Sequence, residues 1–167
     1  MSINEAVANA TNYLTEHPDE ARYRDSMAVA RLVEGLRVDV HGADGSSLQT
    51  DMPKGIGGTE AALSPGWVLR AAIASCVASM IGIRAAVLGW ELGAVEVSVD
   101  SESDDRGILG MANDVPAGPL STRIAVSIEA PGRAPAEVES LIHWAVDHCP
   151  SADAIKRAVP LEVVIKP

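Results

Sequence analysis

Residues 70–90, RAAIASCVASMIGIRAAVLGW, are the most apolar part of the chain. Positions 71–83 carry no charge. Upstream, Ser64 and Pro65 make a good helix start, with Ser64 as N-cap and Pro65 at the first helical position. Downstream, Gly89 is a natural C-cap. A long helix is therefore expected from Pro65 to about Leu88. Leu69, Ile73, Cys76, Met80, Ile83 and Val87 recur at steps of four and three, which puts Cys76 on an apolar stripe. Small residues (Ala71, Ala72, Ala74, Ser75, Ala78, Ser79 and Gly82) surround the cysteine on its other sides. Large side chains would fill the core of a single chain more efficiently. Small ones permit the close approach of another backbone, so this helix is expected to cross a second one at a homodimer interface.

The remaining segments alternate helix and strand patterns. INEAVANATNYLTEH reads as an amphipathic helix stopped by Pro18. Residues 29–41 read as one strand, with Leu36, Val38 and Val40 on one side. ADG (43–45) is a turn, and SLQTDM returns as a second strand, making 29–52 a hairpin. PKGIGGTEAALSP reads as a flexible Gly-rich connection, since it lacks the Lys-Ser/Thr ending of a phosphate-binding loop. Val95, Val97 and Val99 mark a strand, DDRGILG a turn, and LSTRIAVSIEA another strand. PAEVESLIHWAVDH is a helix broken by Pro150, followed by a short helix with Ser151 as N-cap. LEVVIKP is expected to close the chain as a strand. The order α-β-β-α-β-β-α-α-β gives an α+β class with a mostly antiparallel sheet.

The 167 residues suit a single domain, with 1–25 as an N-terminal helical extension. A net charge of −10 argues against nucleic acid and against anionic membrane surfaces. The first twenty residues have neither a basic n-region nor an apolar h-region, so no signal peptide is expected there. The uncharged run 71–83 is too short to span a bilayer. A soluble, cytoplasmic protein is the expectation, and in that compartment two cysteines are free core thiols or redox-active ones.

Position alone favours packing as the role of Cys76, because a buried cysteine behaves as a small hydrophobe. Cys149 lies at a helix end, where the following proline disfavours helical geometry. His143 and His148 are five apart and His17 and His41 lie elsewhere, so no metal ligand set is expected. No cofactor is expected either.

LSPGWVLRAAIASCVASM, LGWELGAVEVSV and HCPSADAI, in that order, resemble the OsmC/Ohr family, the osmotically inducible and organic hydroperoxide resistance proteins. The resemblance covers roughly residues 30–167. It implies an OsmC-like fold in which the sheets wrap two long cysteine-bearing helices in an intertwined homodimer. It also implies thiol-dependent peroxidase chemistry on organic hydroperoxides. Cys76 is then the peroxidatic thiol and Cys149 the resolving one, and an external dithiol reduces the disulfide between them. The family supplies an arginine from the first hairpin to stabilise the thiolate, and Arg37 is the nearest match, ahead of Arg31. Hydroperoxide-reducing members carry a glutamate directly after the proline that starts the cysteine helix. Here that position is Gly66, which is expected to weaken thiolate stabilisation. The alternative reading is an OsmC-like fold that binds a small apolar ligand with little or no peroxidase activity. A third is a dimeric structural protein with two inert thiols.

Overall fold

A computed structural model describes residues 1–166. The chain divides into two compact units, one formed by Ala6–Ala71 and the other by Met1–Glu5 with the chain from Ala72 onward. The first helix, α1 (Ile3–Glu16), buries none of its residues. Its start is closed reciprocally: Ser2 Oγ accepts the Glu5 N–H at 3.2 Å, and Glu5 Oε2 accepts the Ser2 N–H at 2.7 Å.

In the first unit, β1 (Ala28–Glu34), β2 (Arg37–Gly42) and β3 (Ser47–Thr50) form an antiparallel sheet in that order. The single strand expected over residues 29–41 is therefore two. They fold back through a tight turn at Gly35, whose φ of 57° lies in the left-handed region that a side chain disfavours. The hairpin expected over 29–52 becomes a three-strand meander. The alternation at Leu36, Val38 and Val40 belongs mainly to β2, and a lone glycine inside an apolar run conceals the turn.

The Gly-rich segment after β3 is clasped by one side chain. Asp51 is 2% exposed. Its carboxylate accepts the Met52 N–H at 2.8 Å, the Thr59 N–H at 3.0 Å, the Thr59 hydroxyl at 2.5 Å and the Ala61 N–H at 3.1 Å. A flexible connection was the expectation; a buried acceptor organising four donors replaces it. The Thr59 hydroxyl, the largest contribution, and then the Ala61 N–H hold the Asp51 carboxyl at about 2. A folded value below the unfolded one, about 3.9, gives stability that is present above that value and lost as pH falls toward 2. Asp51→Asn should therefore lower the urea midpoint at pH 7 and flatten its fall between pH 4 and pH 2. Parallel curves for variant and parent across that window would refute the assignment.

In the second unit, β4 (Val95–Glu102) and β5 (Ser121–Ile128) pair antiparallel along their whole length. Val95, Val97 and Val99 share the partly buried face with Ile124, Val126 and Ile128, while intervening residues such as Glu96 and Asp100 face out. The turn expected at DDRGILG contains one helical turn, α3 (Asp105–Ile108), capped by the Asp104 carboxylate on the Arg106 N–H. The core is a seam between α2 (Pro65–Val87) and the pair α4 (Pro135–Asp147) and α5 (Pro150–Lys156). Ile73, Val77, Ile81 and Ala85 form one ridge; Leu141, Ala145, Cys149 and Ala152 form the other. Ile73, Val77, Ile81 and Ala85, four apart, share one face of α2 and lie in one buried cluster with the residues from α4, Cys149 and α5.

The seam corrects the expected stripe on α2. Val77, Ile81 and Ala85 are buried where Cys76, Met80 and Val87 were expected, and Leu69 and Val87 are exposed. The helix is apolar on nearly every face, so spacing alone fits several stripes. By length and composition α2 would also suit a membrane span, a test that core helices pass too. Gly89, with a φ of 68°, ends the helical stretch as expected. The closing strand expected at LEVVIKP is absent from residues 161–166, and Leu161, Val163, Val164 and Ile165 are exposed. Pro167 lies outside the described residues. Alternation gives a segment strand character, but a strand forms only with a neighbour to pair with.

Candidate functional site: two facing thiols

The seam brings the two cysteines together. Cys149 is fully buried, and Cys76 is half-buried and packs against the same core cluster. Each is present as a free thiol. Cys76 is in mid-helix on α2, one position from the buried ridge residue Val77. Cys149 stands between α4 and α5 in extended geometry, with φ −84° and ψ 113°.

Pro150 does two jobs there. It ends the run of helix at Cys149, as the sequence predicts, and it opens α5 as the first helical residue. The N-cap of α5 is therefore Cys149 and not Ser151. Its Sγ accepts the Ala152 N–H at 3.4 Å, a role normally taken by an oxygen. Ser151, one residue further, is left to face the other sulfur.

The two thiols have opposite electrostatics. Burial acts to raise the Cys76 thiol. Hydrogen bonds from the Cys149 thiol and from the backbone N–H and hydroxyl of Ser151 outweigh it, leaving Cys76 below its ordinary value. Cys149 is pushed up, first by burial and then because its proton is held toward Cys76. Of the two, Cys76 is the one poised to be a thiolate. From sequence, Ser151 takes only the part of N-cap to the short helix, not a place beside Cys76. The signal that identifies it is the proline at the first helical position, which fixes Cys149 as cap. Ser151→Ala should raise the apparent pKa of Cys76 read from the pH dependence of its alkylation rate. A profile identical to the parent's would remove Ser151 from the site.

The other candidates lie in the first unit. Arg37 opens β2, and its Nη2 donates to Glu34 Oε2 at 2.9 Å across the Gly35 turn. Its Nε is buried without a partner. Arg31 lies on β1 opposite Asp39 and is exposed. At the start of α2, Ser64 caps as expected, its Oγ accepting the Trp67 N–H at 3.2 Å. Gly66 is exposed there, and a Cβ on it would lie 3.7 Å from Arg70 Nη1. Among the described residues no group of His, Cys, Asp and Glu side chains is arranged to hold a metal ion.

Comparison with solved structures places this architecture among known ones. An organic hydroperoxide resistance protein OsmC from Legionella pneumophila is 24% identical, with a TM-score of 0.61 over 81% of this chain and 91% of that one. An OsmC-like protein from Mycoplasma pneumoniae is 15% identical, with a TM-score of 0.68 over 81% and 89%. The organic hydroperoxide resistance protein OhrB of Bacillus subtilis is 17% identical, with a TM-score of 0.52 over 80% and 91%. At these identities the likeness is one of fold: mixed α+β with antiparallel sheets and a long helix. A search of curated proteins finds no match. Residues 57–164, which hold α2, β4, β5 and both cysteines, match the family described as OsmC-like protein. The chain therefore belongs to the OsmC-like family.

Proposed function

We propose that the protein is a thiol-dependent peroxidase acting on organic hydroperoxides. The observation that carries this reading is the facing thiol pair, with Cys76 lowered and Cys149 raised. The Cys76 thiolate attacks the outer oxygen of ROOH. The O–O bond breaks, the sulfur becomes a sulfenic acid, and RO⁻ leaves and takes a proton to become the alcohol. Cys149 then attacks the Cys76 sulfur, forming a disulfide and releasing water. An external dithiol reduces the disulfide and restores both thiols. Arg37 is the proposed cationic partner of the thiolate, with Glu34 holding its guanidinium. The apolar setting of Cys76 favours an alkyl or aryl peroxide over hydrogen peroxide. The test is consumption of cumene hydroperoxide with a dithiol reductant, compared with hydrogen peroxide; no consumption beyond the reductant alone would reject the reading.

One observation favours the alternative, an OsmC-like fold that binds a small apolar ligand with little turnover. Gly66 stands where the family resemblance implies a glutamate in hydroperoxide-reducing members. Restoring that residue separates the readings. Gly66→Glu should raise the peroxidase rate several-fold, since preorganised charge supplies much of the rate at such sites. The helix should accept it, because a first-turn carboxylate suits the dipole and glutamate exceeds glycine in helix propensity. No gain in a protein that still folds would favour the ligand-binding reading.

We also propose that the chain works as a homodimer. Only one ridge of the 23-residue α2 is buried, although the helix is apolar nearly all round. Ala72, Ser75 and Ser79 are exposed, and a side chain at Gly82 would meet nothing within 4 Å. Leu161, Val163, Val164 and Ile165 likewise are exposed, in a segment with strand character and no pairing neighbour among the described residues. A second copy would cover both.

A further inference from the structure

The end of the α2–α4 seam away from the thiols opens into a groove of ≈ 570 Å³, within the range of small-molecule sites. Its apolar lining includes Leu88, Trp90, Leu141 and Trp144, and its polar lining is Arg84, Glu137 and Ser140. Arg84 is eight residues along α2 from Cys76, which a helix places about 12 Å away. We propose that this groove binds a small planar aromatic monocarboxylate, with Arg84 as its anion anchor.

The argument rests on Arg84. Its guanidinium lies over the Trp144 ring, 4.7 Å from the centroid. It is half-buried, and no acidic side chain among the described residues pairs with it, in a chain with 23 Asp and Glu. Stacking uses the face of the guanidinium and leaves its in-plane N–H groups available. Those groups match a carboxylate fork, and partial burial strengthens the pairing.

The rest of the groove narrows the ligand. The Ser140 hydroxyl already donates to the Ala136 carbonyl at 2.8 Å. Glu137 Oε2 accepts the Ala134 N–H at 2.9 Å, fixing a negative charge beside the groove. Arg84 is thus the anchor for one anionic group, and Glu137 disfavours a second. Trp144 already carries Arg84 and His148 on its ring, so Trp90, Leu88 and Leu141 are the walls left to a flat apolar body. Trp144 is itself backed by His148, stacked at 4.1 Å, and Trp90 by Arg133 at 4.7 Å, so both indoles are braced. The site does not depend on the thiol chemistry.

The probes are 2-naphthoate and its neutral amide, followed by calorimetry and tryptophan fluorescence on the full chain. Naphthoate should bind with a Kd below about 1 mM, and the amide at least about tenfold more weakly. Arg84→Gln should remove that preference. Equal binding of acid and amide, no naphthoate binding, or an unchanged preference in Arg84→Gln would each overturn the proposal. So would naphthoate protecting Cys76 from alkylation in Arg84→Gln as well as in the parent, which would place it at the thiols. Naphthoate affinity that falls as the chain self-associates would assign the groove to a second copy and overturn it too. The acid–amide comparison on the parent protein decides the matter even if Arg84→Gln fails to fold.

Discussion

Cys76→Ser consumes organic hydroperoxide no faster than the reductant alone, while Cys149→Ser still consumes one equivalent per chain and then stops when no reductant is supplied. Those are the expected results, and they follow from the asymmetry of the pair. The Cys149 thiol and Ser151 hydrogen-bond to Cys76 and lower it, whereas at Cys149 burial and its own donated proton outweigh the Ala152 N–H and keep it a thiol. Serine at 76 removes the nucleophile and with it the whole rate enhancement. Serine at 149 leaves the first attack intact but removes the sulfur that would condense with the sulfenic acid. A dimedone-type trap should then label position 76 in Cys149→Ser and nothing in Cys76→Ser. A burst retained by Cys76→Ser and lost by Cys149→Ser would reverse the roles.

The second large effect is expected at Gly82. Nothing in the chain lies within 4 Å of a Cβ placed there. Gly82→Arg should therefore leave the fold of the single chain intact, and arginine is the better helix former. At a helix-to-helix dimer interface the same side chain would be both too large and charged. The dimer constant should weaken on the order of a hundredfold or more, as for disruption of a buried hot spot. Sedimentation across a range of concentrations is the measurement, with circular dichroism to confirm folding. A parent protein that is a folded monomer at all concentrations, or a variant that associates as tightly as the parent, would end the homodimer reading.

Much of the second unit was legible because its signals are local. Val95, Val97 and Val99 alternate over a clean strand, Gly89 closes α2, and Cys149-Pro150 marks the end of α4. The failures were physical in origin. On α2 too many faces are apolar for spacing to choose the ridge, so the buried line moved to Val77, Ile81 and Ala85. The Gly35 turn is signalled by a single glycine between two stretches of strand-like sequence. Asp51 reads as an ordinary surface acid until its four donors from Met52, Thr59 and Ala61 are in place. The segment 161–166 has the pattern of a strand but no pairing neighbour among the described residues. Of the site itself, the cysteines were found from motif order, and Ser151 was not, because which sulfur caps α5 is set by backbone geometry.

That cap has a consequence of its own. The Cys149 sulfur closes the first turn of α5 through the Ala152 N–H. A disulfide would take this atom as a bonding partner, turn its lone pairs and weaken it as an acceptor. The local grip on α5 would then vary with the oxidation state of the chain, so that residues 150–156 would exchange their amide protons faster in one chemical state than in the other. The helix would serve as a gauge of how much oxidant the protein has met, legible from its surface without touching the thiols.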